Sequence, residues 1–238
     1  IKDESLPIDE QKYEYYGLYT HIEQPNKKFL EVRSLSSNAS MYKARDFSFL
    51  KNPLIKDIDD PEYSEADFEQ VLTIREAENH SKLIELIDAV NNPILGFEEL
   101  FSTYFNEDNY LTWLGFSLLV GAEDILNHNY IIYSPNNSKT WYFIPWDFDS
   151  NMELEPSELI AKSLRSGQKL NMSPLHKKFF KYPGNLEKLT NKMNELKDKY
   201  FTEENVRLYT DSYMRVLEKT LPYYPDLAIL DKSPDKVI

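Results

Sequence analysis

The alternation of apolar and polar positions divides the chain into three stretches. In the first, residues 11–24, QKYEYYGLYTHIEQ, place Tyr and other β-formers around Gly17 and predict strand, tight bend, strand. A short helix over Asn26 to Val32 follows, then a further strand within Ser40 to Phe49, SMYKARDFSF. Residues 1–50 thus read as part of a small sheet. In the second stretch, residues 56–69 are strongly acidic (Asp57, Asp59, Asp60, Glu62, Glu65, Asp67, Glu69) and read as a solvated linker running into a helix. Helical period sets in from Ser64. Ser81 is a good N-cap ahead of Leu83, Ile84, Leu86, Ile87 and Val90, and Asn91-Asn92-Pro93 ends that helix. Gly96 to Phe105 predicts a further short amphipathic helix.

In the third stretch, Asn109 to Ala122 is apolar nearly all round, the pattern of a central, buried helix, and it ends near Gly121. Two β-rich runs, Asn129 to Tyr133 and Thr140 to Ile144, flank the turn Ser134-Pro135-Asn136-Asn137-Ser138 and predict a β-hairpin. Beyond residue 150 a polar, irregular segment leads to helices at 174–181, 185–200 and 203–219. Within these, Lys177 to Lys199 is locally basic and reads as a solvated helix face.

Composition narrows the chemistry. A chain of 238 residues suits one large domain or two small lobes. Only 6 glycines are present, and none falls in a G-x-G-x-x-G or G-x-x-x-x-G-K-[ST] loop, which excludes those phosphate cradles. The formal charge of −13 disfavours nucleic acid and anionic membranes and favours cations and basic partners. With no cysteine, disulfides, zinc–thiolate sites and thiol nucleophiles are excluded. The longest dense apolar run, Leu111 to Ala122, is too short to span a bilayer. The chain starts at Ile1 rather than Met, and residues 1–16 contain no glycine. A processed, truncated or trimmed chain is the expectation.

The informative stretch is Gly121 to Asn151, GAEDILNHNYIIYSPNNSKTWYFIPWDFDSN. Asp124 and Asn129 lie five apart between the buried helix and the hairpin, and Asp147 and Asp149 follow its return strand. With the turn centred near Asn136 and Asn137, Asn129 falls opposite Ile144 and Asp147 lies three residues beyond. Two carboxylates and an amide would then converge from a fixed scaffold. Phosphoryl transfer needs such a set: one carboxylate orients the attacking hydroxyl, while an Asn and a second Asp hold magnesium through hard oxygen ligands. The spacing matches the D-x-x-x-x-N of protein kinases, with D-F-D where they carry D-F-G. Two departures stand out: Glu123 replaces the Arg before the Asp, and Asp149 replaces the Gly. His128 reads as a packed loop residue, and Trp146 and Phe148 as anchors for the Asp pair.

At these residues the chain resembles the CotH family of atypical bacterial protein kinases, named for spore coat protein H. The segments concerned are 15–33 (YYGLYTHIEQPNKKFLEVR), 41–47 (MYKARDF), 109–133, 141–149 (WYFIPWDFD) and 176–206, covering most of residues 12–220. The resemblance implies an α+β, atypical protein-kinase-like fold. A small partial N-terminal sheet lobe (1–50) would form the nucleotide roof, and a larger, mainly helical lobe (51–238) would carry a catalytic hairpin. It implies ATP with Mg²⁺ or Mn²⁺, and phosphorylation of Ser or Thr in a basic, Ser/Thr-rich protein, secreted or in the spore coat. Asp124 matches the catalytic Asp, Asn129 and Asp147 the metal ligands, with Asp149 as a further one. Lys43 and Glu23 match the phosphate-binding Lys and the Glu that orients it. Two rivals remain: a non-catalytic pseudokinase or coat scaffold on the same fold, and a two-carboxylate glycoside hydrolase with an aromatic-lined groove, for which the Asn five after Asp124 is not needed.

Overall fold

The computed structural model describes residues 5, 7–12, 15–122, 124–148, 165 and 170–229. It divides into two compact units, one of residues up to Glu23 and from Tyr200 onward, the other Gln24–Lys199.

The second unit is α+β. Its helices, in chain order, are α1 (Lys27–Val32), α2 (Glu65–Phe68), α3 (Ser81–Asn91), α4 (Phe97–Tyr104), α5 (Glu107–Leu119), α6 (Pro174–Lys181) and α7 (Asn185–Lys199). Its strands are β1 (Ala39–Ala44), β2 (Leu72–Glu76), β3 (Tyr130–Pro135) and β4 (Tyr142–Pro145). They form one antiparallel sheet in the order β2-β1-β3-β4. Strand period sends Tyr42, Tyr130 and Ile132 to one face and Met41, Ile131 and Tyr133 to the other. On the first face Phe143 stacks on Trp113 of α5 at 4.3 Å and meets Tyr110 at 5.6 Å. On the second, Leu30 of α1 joins Met41, Ile131 and Tyr133 in a buried cluster.

A side chain bonds to each outer strand of the sheet. The Asn109 amide of α5 accepts from Phe143 N at 2.7 Å and donates to Phe143 O at 3.1 Å, occupying the outer edge of β4. The Glu69 carboxylate accepts from Ile74 N at 3.0 Å on β2.

Helix α5 buries six residues, among them Trp113, Leu114 and Gly115. Gly115 lets α7 approach: a Cβ there would sit 3.3 Å from Met193 and 3.4 Å from Leu196. Asn106 caps its start, accepting from Asn109 N at 2.9 Å. Gly121, at φ +66, ends it, with Ala122 N donating to Ser117 O at 2.9 Å and Gly121 N to Leu118 O at 3.2 Å. This is the paired closure that a left-handed residue after a helix permits.

Three expectations differ from the structure. No strand is present among the described residues of 11–24. The tight bend expected there is also missing: Gly17 takes a left-handed φ of +103 without a turn, and the backbone is held in the first unit by Asp226, whose carboxylate accepts from Leu18 N at 2.9 Å and from the Tyr15 hydroxyl. Side-chain capture of one extended segment replaces a ladder. Helical period after Ser64 lasts only through α2, and β2 follows; the sheet formed by β1 therefore continues into β2 and the hairpin rather than into residues 11–24. Ser81 is the first residue of α3, not its cap; the cap position is His80, wedged between the Tyr42 hydroxyl (3.0 Å) and the Tyr63 hydroxyl (3.2 Å).

The first unit holds α8 (Glu203–Thr220) and α9 (Asp226–Ile229). Thr202 caps α8, accepting from Asn205 N at 3.2 Å.

Candidate functional site

The hairpin's register brings the expected site residues closer than the turn centre predicts. Tyr130 pairs with Pro145 and Ile131 with Ile144, so Asn129 lies opposite Trp146, and Trp146 N donates to Asn129 O at 3.3 Å. The predicted pairing of Asn129 with Ile144 is off by two. The cause is at the far end: β3 runs on to Pro135, which pairs with Ala39, and the turn falls on Asn136 to Lys139. Asp147 is thus one residue, not three, beyond the partner of Asn129.

Asn129 (φ 58) and Asp147 (φ 61) both adopt the left-handed backbone conformation. Such conformations cost of order 1–3 kcal/mol where the residue is not glycine and collect at ligand-binding sites. Here they turn the two strand ends out of the ladder side by side. Asp147 is exposed, and its flanks are anchored. Trp146 packs against the α1 face of the sheet, and the Phe148 ring meets Phe116 of α5 at 5.2 Å. Both act as the anchors expected of them.

Asp124 opens a short 3-10 turn, Asp124–Leu126, and is exposed. Its carbonyl accepts from His128 N at 2.8 Å, closing the loop that leads to Asn129. Ile125, 1% exposed, pins the turn to the core. Lys43, the penultimate residue of β1, holds its Nζ 5.3 Å from the Trp146 ring centroid, in cation–π range, so it stands next to the Asp147 bend. The structure therefore brings Asn129, Asp147 and Lys43 to one end of the sheet, with Asp124 on the adjoining loop. Glu23 is exposed and belongs to the first unit. Asp149 lies outside the described residues, as does Glu123.

A brace that the sequence does not announce holds this loop. The segment leaving β1 is bonded on both sides. Arg45 N and Asp46 N donate to Val71 O at 3.0 and 3.1 Å, and Phe47 N donates to Asn127 O at 3.0 Å. The Asp46 carboxylate accepts from Asn127 Nδ2 at 2.7 Å. The Tyr130 hydroxyl, its ionisation pushed far up by burial, donates to Phe47 O. Arg45, Asp46 and Phe47 thus tie the Asp124–Asn129 loop to the sheet. The one sequence signal is the position of R-D-F directly after a strand that carries Lys43.

Among the described residues no three His, Asp or Glu side chains converge as an all-protein metal cage. Magnesium at a nucleotide site needs none, because it is held by one or two protein oxygens, phosphate and water. An exposed carboxylate and a half-buried amide on neighbouring left-handed residues fit that donor set. Among the described residues no helix is long and apolar enough to cross a membrane.

The chain is similar to the inner spore coat protein H of Bacillus subtilis (strain 168), at 24% identity over 135 residues. That match covers 56% of this chain and 37% of the relative, so the chain spans well under half of that protein's length. The family model described as CotH kinase protein matches residues 5–227, nearly the whole sequence, and the chain belongs to the CotH family.

Proposed function

We propose that this chain is an atypical protein kinase that transfers the γ-phosphoryl group of ATP to a Ser or Thr hydroxyl of a protein. The observation that carries the reading is that Asn129 and Asp147 neighbour one another in left-handed conformations at the open end of the hairpin, on the strand ends that follow an exposed Asp124. In this reading the fold is kinase-like, with residues 1–50 on the nucleotide side and 51–238 on the catalytic side. Asn129 and Asp147 would hold Mg²⁺ or Mn²⁺, with Asp149 as a further ligand. The metal would neutralise charge on the transferring phosphoryl group. Lys43 would reach the phosphates, and Glu23 would orient it, a role supported by family resemblance alone.

Asp124 would orient the attacking hydroxyl and take its proton. The bond from the hydroxyl oxygen to the γ-phosphorus forms, and the bond from that phosphorus to the bridging oxygen breaks, leaving ADP. The formal charge of −13 favours a basic substrate. The relative's name supports association with the spore coat.

The test is transfer of labelled γ-phosphate to a basic Ser/Thr-rich peptide. Asp124→Asn should lower transfer by about 10²–10⁴-fold with an unchanged melting curve. Full transfer by a folded Asp124→Asn protein would refute the assignment. A second reading, a coat scaffold on the same fold without catalysis, is supported by the relative's description as a coat protein. It predicts no transfer and no metal-dependent nucleotide binding.

A further inference from the structure

Helix α8 is 18 residues long and fully buries none of them. Val206, Tyr209, Tyr213 and Val216 fall at i, i+3, i+7 and i+10 and form one apolar stripe along it. They are 47%, 66%, 69% and 48% exposed. A helix face of this spacing is the seam of a two-helix pair.

The order of residues selects the partner. Read from either end, the stripe is the same: Val, two residues, Tyr, three residues, Tyr, two residues, Val. An antiparallel copy of α8 laid on it about a two-fold axis at the level of Asp211 sets Val206 against Val216 and Tyr209 against Tyr213, twice over. At the centre the residues flanking the stripe are Thr210 and Ser212. Each meets its own copy across the axis, so no like charges collide there. The charged residues of the middle turns, Arg207, Asp211 and Arg215, lie off the seam, and Arg207 is bonded within its own helix to Glu203 at 2.9 Å. Two-fold pairing requires one patch to complement itself, which this stripe does.

We infer that α8 is a self-association surface, and that the chain forms an antiparallel dimer through Val206, Tyr209, Tyr213 and Val216. Two tyrosines and two valines bury roughly 300–450 Å² per copy, about half of the ~800 Å² per partner of a standard stable interface. The dimer is therefore weak and forms with concentration.

Sedimentation velocity on the intact chain tests this. The expected result is a monomer below roughly 1 μM and a growing dimer fraction through tens to hundreds of micromolar, given the small area. Tyr209→Glu with Tyr213→Glu should abolish the dimer and leave the melting temperature of the dilute protein unchanged. The absence of native cysteine gives a second, independent probe. Ser212→Cys, treated with a short bis-maleimide, should give a covalent dimer, and Glu218→Cys, facing away from the seam, should not. A monomer at every concentration would overturn the inference. So would a dimer indifferent to the tyrosine pair, or equal cross-linking at both cysteines. A large loss of melting temperature in the dilute tyrosine variant would also overturn it, because it would show the stripe packed against its own chain.

Discussion

Helices α5 and α8 make opposite use of their apolar residues. The shorter, α5, is apolar nearly all round beyond its first turn and has partners on two sides: Phe143 of the hairpin against Trp113, and Met193 and Leu196 of α7 against Gly115. The longer, α8, has a cleaner amphipathic stripe and no fully buried residue. A regular stripe tells that a helix has a face to cover; apolarity all round tells that the rest of the fold already covers it. The difference has a functional side, since α5 runs from the Asn109 clamp on β4 to the Phe116–Phe148 contact behind Asp147.

The sharpest way to break this comparison is a matched pair of truncations. Trp113→Ala should cost about 3–5 kcal/mol in urea unfolding, the range for emptying a large aromatic site in a core. Tyr209→Ala, measured in dilute protein, should stay within about 0.5 kcal/mol, as surface changes do. Similar losses would erase the distinction.

The next effect is a pH dependence seated at the α5 end of the core. His176 of α6 is buried, bonded through Nδ1 to the Tyr110 hydroxyl at 2.7 Å, and burial lowers its pKa from 6.5 to about 3. The unfolded chain protonates near 6.5 while the folded chain resists until about 3, so the unfolded state binds more protons between them. Stability should fall as pH drops below about 6.5, by at most ~1.4 kcal/mol per pH unit from this group. His80, also lowered by burial, acts in the same direction. Denaturant midpoints at pH 7 and pH 5 should show the loss, and His176→Phe should flatten it. An unchanged slope in His176→Phe would place the titration elsewhere.

Much of the fold was legible because period is a local signal. Helix α5, the hairpin and the helices at 174–181, 185–199 and 203–220 sit close to where the sequence pattern puts them. Strand β2 was hidden because Leu72-Thr73-Ile74-Arg75-Glu76 follows an acidic helical turn too short to have a period of its own. The strands expected in 11–24 are absent among the described residues; the backbone after Gly17 is bonded instead by Asp226, more than two hundred residues away. The site residues themselves were named from D-x-x-x-x-N and D-F-D spacing. Their closeness was not, since the register depends on Pro135 pairing with Ala39. The Asp46–Asn127 bond, 81 residues apart in sequence, leaves no local trace.

That bond gives a modest effect on stability and a measurable one on the loop. Asp46 is exposed, so Asp46→Ala should cost only about 0.5–1.5 kcal/mol, the worth of one hydrogen bond. Its signature should be faster amide exchange over residues 124–129 than over α5. Uniform exchange would show that the brace does not hold the loop.

The most direct test of the central claim, a metal–nucleotide site at the hairpin's open end, is the melting temperature with ATP, with and without Mg²⁺. Ligand that binds only the folded state raises it with concentration. ATP with Mg²⁺ should raise it clearly more than ATP alone, and Asp147→Ala and Asn129→Ala should each remove the difference. A metal-dependent shift that survives both substitutions would contradict the site, and its absence from the unsubstituted chain would contradict the proposed chemistry.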